Sequence, residues 1–210
     1  MFNINQFKSI LCLNGDLPSA NFFPKNLPIF AADGAANQLI QMGIIPELVI
    51  GDLDSVLPEY LNQIKTYYHY DQNYCDFEKS LQYLEERQLL PTIIFGMNGK
   101  FLDHILNNIN CFIQSNAIFY AEPILGFCLK QDEKKSLTLP THSKISLIGI
   151  PNAIVSTTGL QWELNHHSIA FPGKNSCFNH SIHKNIEIEV HSGCALILIY
   201  TKSFKDIFTD

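Results

Sequence analysis

The segment ELVIGDLDSV, residues 47–56, closes an apolar run with a glycine and two aspartates one residue apart, Asp52 and Asp54. Carboxylates that close repel each other unless positive charge lies between them. A solvated turn or a metal site would relieve the repulsion, and the turn alone leaves the doubled charge unexplained. Asp33, Asp71, Asp76 and Asp103 also fall just past strand-like runs or at helix starts. Aspartate favours turns and helix N-caps for local reasons, which suffices for Asp16 or for Asp76 taken singly. Gathered in one place, several acids need a cation. Oxygen ligands with no Cys/His pair nearby select Mg²⁺, a hard ion that shares its shell with substrate phosphates.

Such a gathering requires strands that deliver their carboxyl ends to one edge of a sheet. Apolar runs at 10–13, 29–32, 48–50 and 92–95 read as strands. Residues 35–42 read as a helix capped by Gly43, and a second helix starts with Asp76 as its N-cap and carries Phe77, Leu81 and Leu84 at helical spacing. A third places Ile105, Leu106, Ile109 and Phe112 on one face. Strands alternating with helices predict an α/β domain with a mostly parallel sheet, residues 1–128, whose strand ends bind ligands.

The pattern changes near residue 130. Residues 130–136, KQDEKKS, form a charged stretch that reads as a linker or hairpin. Short β-type runs follow at 144–150, 153–158, 168–171, 186–191 and 195–200, and Ile186, Ile188 and Val190 alternate with Glu187 and Glu189. Residues 129–210 are therefore expected to be an all-β sandwich.

Composition narrows the partners. A formal charge of −6 disfavours nucleic acid, and no apolar run is long enough to span a bilayer, so no membrane is expected. The short apolar run at 10–13 stops at Asn14-Gly15-Asp16, which is unlike a signal peptide. Six scattered cysteines without a Cys-x-x-Cys pair suit incidental thiols in a reducing cytoplasm. GMNGK (96–100) lacks the spacing of a phosphate-binding P-loop, and PGKNS (172–176) lacks its first glycine, although a glycine loop entering a helix can still hold an anion. His166, His167, His180, His183 and His191 have no ordered ligand spacing and read as surface residues. Arg87 is the sole arginine, so any phosphate must be met by lysine, metal ions or backbone N–H groups.

In order and spacing, LNGDLP (13–18), AADGAAN (31–37), PELVIGDLDSV (46–56), DFEKSL (76–81), LDHILNNI (102–109), KISLIGI (144–150) and TTGLQWEL (157–164) resemble thiamin pyrophosphokinase over nearly the whole chain. The resemblance implies transfer of pyrophosphate from ATP to the hydroxyl of thiamine, giving thiamine diphosphate and AMP. It implies Mg²⁺, and a homodimer with thiamine between one subunit's first domain and the other's sandwich. Asp52, Asp54 and Asp103 would be catalytic, and Asp52, Asp54, Asp33 and Asn73 would hold the metal. Asn14, Asp33, Gly34, Asp76, Lys79, Lys100 and His104 would meet ATP, while Trp162, Ser176 and Asn179 would meet thiamine. A structural helix-start role is as good an account of His104.

The chain departs from the family pattern in three places. Asn73 stands where a metal-linked aspartate is expected and Cys75 where a threonine is. Lys100-Phe101 replaces Gly-Arg ahead of Asp103, exchanging a bidentate fork for a point charge. Phe178 takes the place of a serine. These departures leave open a diverged thiamine-binding protein with little catalysis, or a kinase for another heterocyclic alcohol.

Overall fold

Short strands with buried side chains on both faces build the N-terminal part of the computed structural model, which describes residues 2–99, 101–201 and 208–209. A two-residue strand, β1 (Phe2–Asn3), belongs with the C-terminal part; the first unit then runs Asn5–Ala121. Its strands are β2 (Ser9–Cys12), β3 (Ile29–Ala32), β4 (Leu48–Gly51), β5 (Thr66–Tyr68), β6 (Thr92–Phe95) and β7 (Ala117–Ala121). All pair in parallel, in the order β7-β6-β2-β3-β4-β5. Ile10, Leu11, Ile93, Ile94 and Phe95 are fully buried, as strands covered on both faces demand.

The chain leaves β2 outward through β3, β4 and β5, then returns to β6 on the opposite side of β2. The loops after β2 and β6 therefore flank the point where strand order reverses, the place where open α/β sheets bind ligands. Helices α1 (Ala35–Gln41), α2 (Pro58–Leu61), α3 (Asp76–Glu86) and α4 (Leu102–Gln114) connect the strands. Asp76 is not the cap of α3. Cys75 is, with its N–H donating to Glu78 Oε2 at 2.9 Å, and Asp76 is the first helical residue. Sequence periodicity missed β5, α2 and β7; α2 is a single turn and β5 has three residues, all exposed.

The second unit comprises residues 2–4 and the chain from Glu122 on. Its β8 (Ile124–Lys130), β9 (Glu133–Thr138), β10 (Lys144–Thr158), β11 (His167–Ala170), β12 (Ser176–His180) and β13 (Asn185–Tyr200) pair antiparallel. The units thus divide ahead of residue 128, because β8 is hydrogen-bonded along the second half of β13. A last strand, β14 (Phe208–Thr209), runs parallel to β1.

Two expectations are corrected here. The separate runs 144–150 and 153–158 are one strand, as are 186–191 and 195–200. Bulges between Gly149 and Ala153, and at Ile154/Val155, bend the pairing without ending it. Residues 130–136 are neither linker nor hairpin, since β8 and β9 lie successively along β13 across a turn at Gln131-Asp132. The bent strands pair β8 and β12 through one half and β9 and β11 through the other, which is how strands pass between two packed sheets.

Replacing fully buried Leu11 in β2 by alanine removes core volume from the central strand. The expected loss is about 2–5 kcal/mol by urea unfolding, against less than about 0.5 kcal/mol for Gln82→Ala on the exposed face of α3.

Candidate active site

Three loops converge on a carboxylate cluster. Asp33 follows β3 with φ +41°, Asp52 follows β4, and Asp76 opens α3. One oxygen from each lies within 4.8 Å of the others. Gly51 makes this possible: a Cβ there would stand 2.9 Å from Asp33 Cβ and 3.1 Å from Asp76 Oδ1. Any side chain would push two carboxylates apart.

Asp33 is 4% exposed; its Oδ2 accepts the Ser55 N–H at 3.2 Å, and its Oδ1 is buried without a hydrogen-bond partner. Burial raises the pKa of Asp33, opposed by the bonds from Ser55 and reinforced by the charges of Asp76 and Asp54. Burial also raises Asp76, whose Oδ1 pairs with Lys79 Nζ at 3.2 Å while Asp52 and Asp54 repel it. Asp52, near the surface, is held below the ordinary carboxylate value, first by Gln72 Nε2, which donates to its Oδ2 at 2.9 Å. Lys79 is 2% exposed, so among the described residues a single buried ammonium faces the acids. The surplus of negative charge, the orphaned Asp33 oxygen and the all-oxygen donor set fit a hard divalent cation.

Beside the cluster lies a cleft of about 630 Å³. The loops after β2 and β6 supply Asn14 and Asn98 to its wall, and α4 supplies Asp103, His104, Asn107 and Asn108. Those two loops cross closely: a Cβ on Gly15 would collide with the carbonyls of Gly96 and Asn98, and Asp16 N–H donates to Asn98 O at 2.8 Å. Asn98 Oδ1 is a second buried acceptor without a partner. Among the described residues no lysine or arginine lines the cleft. Arg87 caps the far end of α3, its guanidinium 5.2 Å from the centre of the Tyr83 ring.

The remaining residues are placed as follows. Asp54 is exposed, accepts from Ser55 Oγ at 2.9 Å and donates its N–H to Asp52 Oδ1 at 3.4 Å. Asp33, Gly34, Asn14, Asp76, Asp103 and His104 all line the cleft. Asn73 donates its N–H and Nδ2 to Asp71 Oδ1, at 2.9 and 2.8 Å, and Asp76 supplies the third carboxylate of the cluster. Lys79 faces inward to Asp76 instead of lining the cleft, and Lys100 lies outside the described residues.

In the second unit Trp162 is 60% exposed, although core packing is the ordinary fate of a lone tryptophan. Asn179, 1% exposed, holds the Trp162 backbone from both sides: Oδ1 accepts its N–H at 3.2 Å and Nδ2 donates to its carbonyl at 2.7 Å. Asn179 Nδ2 also donates to Ser176 Oγ at 3.2 Å. His166, His167 and His183 are exposed, as expected, whereas His180 and His191 are half-buried. His180 packs edge-on to Trp162 and His191 stacks on His166, so ring contacts cover both.

Residues 21–120 match the family model "Thiamin pyrophosphokinase, catalytic domain", and residues 129–195 match "Thiamin pyrophosphokinase, vitamin B1 binding domain". The chain belongs to the thiamin pyrophosphokinase family. Thiamine pyrophosphokinase 3 of Oryza sativa subsp. japonica is 27% identical over 212 residues, covering 81% of this chain and 78% of its own. Thiamine pyrophosphokinase 1 of Arabidopsis thaliana is 28% identical over 223 residues, covering 93% and 78%. The crystal structure of the Bacillus subtilis thiamine pyrophosphokinase shares the fold with TM-score 0.80 at 20% identity, covering 93% of this chain and all of that one. The yeast enzyme gives 0.78 at 18% identity, covering 98% and 89%.

Sequence reasoning missed Ser55, Gln72, Asn98, Asn107 and Asn108. Gln72 and Ser55 adjoin the recognised aspartates, so their proximity was a usable signal. The asparagines of α4 gave none, because polar helix residues ordinarily face water.

Two outcomes follow from this geometry. Folded-state pKa values of Asp33 and Asp76 above the ordinary carboxylate value mean that the folded chain binds more protons than the unfolded. The associated stability is complete below the ordinary value and is lost as pH rises through the raised values. Asp33→Asn is therefore expected to be more stable than the parent at pH 7 without divalent ions, with the gap closing on acidification in urea titrations. Asn179→Ala should cost about 1–3 kcal/mol by leaving the Trp162 backbone unpaired, and lower the fluorescence anisotropy of that sole tryptophan.

Proposed function

We propose that this chain transfers the pyrophosphoryl group of ATP to the hydroxyl of thiamine, releasing AMP and thiamine diphosphate. The observation that carries the reading is the Asp33–Asp52–Asp76 cluster, with its unpartnered buried oxygen, beside a cleft at the strand-order reversal of a chain in this family.

Asp33, Asp52 and Asp76 would hold Mg²⁺ together with the ATP phosphates, with Asp54 adding charge from the rim. When bound, the ion neutralises charge developing on the transferred group. The chain itself positions. Asn14, Asn98 and the first turn of α4 present polar groups to the nucleotide. Without a cleft arginine among the described residues, phosphate charge falls to bound cations, N–H groups, His104 and Lys100. A carboxylate from the set Asp52, Asp54 and Asp103 takes the proton of the attacking hydroxyl. The three carboxylates of Asp33, Asp52 and Asp76 still gather with Asn73 standing in for the expected aspartate, which favours catalysis over a silent thiamine-binding relative.

Trp162 offers an open aromatic face for the aminopyrimidine ring, with Asn179 fixing its backbone and Ser176 beside it. By likeness to the family, the thiamine site lies at the interface of a homodimer. A cytoplasmic location is in keeping with six free thiols.

Asp52→Asn and Asp54→Asn are each expected to fold with unchanged circular dichroism yet lower turnover about 10²-fold or more. Steady AMP release from thiamine, ATP and Mg²⁺ is the readout. Full turnover in both variants, or no thiamine-dependent AMP release by the parent chain, would overturn the assignment.

A further inference from the structure

The cap of α3 carries a second group of potential ligands, chemically unlike the first. Cys75 Sγ, a Glu78 carboxylate oxygen and Cys111 Sγ all lie within 4.8 Å of one another. Cys75 caps α3, Glu78 lies one turn into it, and Cys111 projects from α4. We propose that these three residues bind a thiophilic divalent cation of the zinc class, at a site distinct from the carboxylate cluster.

The geometry carries the proposal. The two sulfurs are 3.9 Å apart. A tetrahedral ion with metal–sulfur bonds of about 2.3 Å sets its sulfurs roughly 3.8 Å apart, so two thiolates could be joined with little movement. A disulfide would require them to close to about 2.05 Å. The third ligand is held in place by the capping bond, in which Glu78 Oε2 accepts the Cys75 N–H at 2.9 Å. That bond leaves Oε1 for an ion. Asn107 Nδ2 donates to Cys75 Sγ at 3.5 Å, which orients the sulfur from the side of α4. Cys111 is 6% exposed, whereas Cys75 lines the cleft, giving an entry path and a fourth position open to water. Two sulfurs and one carboxylate favour a borderline-soft ion over Mg²⁺, while the all-oxygen cluster has the opposite preference. Binding releases the two thiol protons to solvent and changes no oxidation state. Occupancy ties the first turn of α3 to the middle of α4, and the inference stands whether or not the proposed activity is correct.

The test is a titration of the reduced full-length chain with Co²⁺, followed by displacement with Zn²⁺. The expected result is a saturable thiolate-to-cobalt charge-transfer band that Zn²⁺ abolishes, and a rise in Tm of about 5 °C at saturating Zn²⁺. Cys75→Ser and Cys111→Ser should each remove the band and weaken Zn²⁺ at least about tenfold in chelator competition. Serine is a good N-cap, so Cys75→Ser keeps the fold even if Cys111→Ser does not. Asp52→Asn should leave the band in place, which separates this site from the carboxylate cluster. Absence of the band in the parent chain would overturn the proposal. So would a band that survives Cys75→Ser, pointing instead to Cys128 and Cys194 of the second unit, which pair with each other. A Cys75–Cys111 disulfide formed under air, with no cation taken up by the reduced chain, would overturn it equally.

Discussion

Asp33, Asp52 and Asp76 repel one another, and Lys79 is the buried charge set against them. Like charges about 4 Å apart near a protein surface cost on the order of 4 kcal/mol. Among the described residues that one ammonium does not offset three carboxylates plus Asp54 at the rim. The protein therefore spends stability to keep the cluster, and local features exist to hold it. Gly51 removes the Cβ that would otherwise part Asp33 from Asp76. Asp76 sits in the first turn of α3, where the unpaired N–H groups favour negative charge. Ser55 donates its N–H to Asp33, and Gln72 donates to Asp52. Each of these contacts stabilises a carboxylate singly, and none removes the excess.

The parallel sheet is what brings the acids together. Every strand from β2 to β6 points its carboxyl end to the same edge, so residues just past β3 and β4 become neighbours although 19 positions separate Asp33 from Asp52 (52 − 33). The return of the chain to β6 then places the Gly96–Asn98 loop against the Leu13–Gly15 loop, opening a cleft beside the cluster. An antiparallel arrangement would send alternate strand ends to opposite edges and divide the set.

Much of this was legible locally. The run at 29–32 followed by Asp33-Gly34 and an alanine-rich helix marks a strand-to-helix turn, and β3 and α1 lie there. The doubled charge of Asp52 and Asp54 announced itself because a turn does not need it. Asp76 read both as a helix cap and as one of the gathered acids; its partnership with Asp33 depends on β4 and α3 meeting in space, which no window of sequence contains. Asn73 is a ligand by family resemblance, and its amide nitrogen donates to Asp71, two residues away. In the second unit, Gly149, Pro151 and Gly193 look like strand ends; pairing continues through them because bulges absorb the irregularity. The hold of Asn179 on the Trp162 backbone was equally hidden, since the two residues lie 17 positions apart.

Adjacent residues at the start of α3 illustrate how one turn of helix can serve two chemistries. Successive side chains on a helix diverge by about 100°. Asp76 accordingly turns toward Gly51 and Lys79, while the Cys75 side chain, at the cap, meets Cys111 and Asn107 on α4. Glu78 closes the cap on the cysteine side, and Ser80 Oγ donates to the Asp76 carbonyl at 2.6 Å. The hard oxygen set and the mixed sulfur set are thus separated by direction, not by distance along the chain. A threonine at position 75 would cap the helix equally well and leave the oxygen cluster intact. The cysteine is therefore not required by the fold of α3, and the sulfur it places opposite Cys111 is the one property that distinguishes it there.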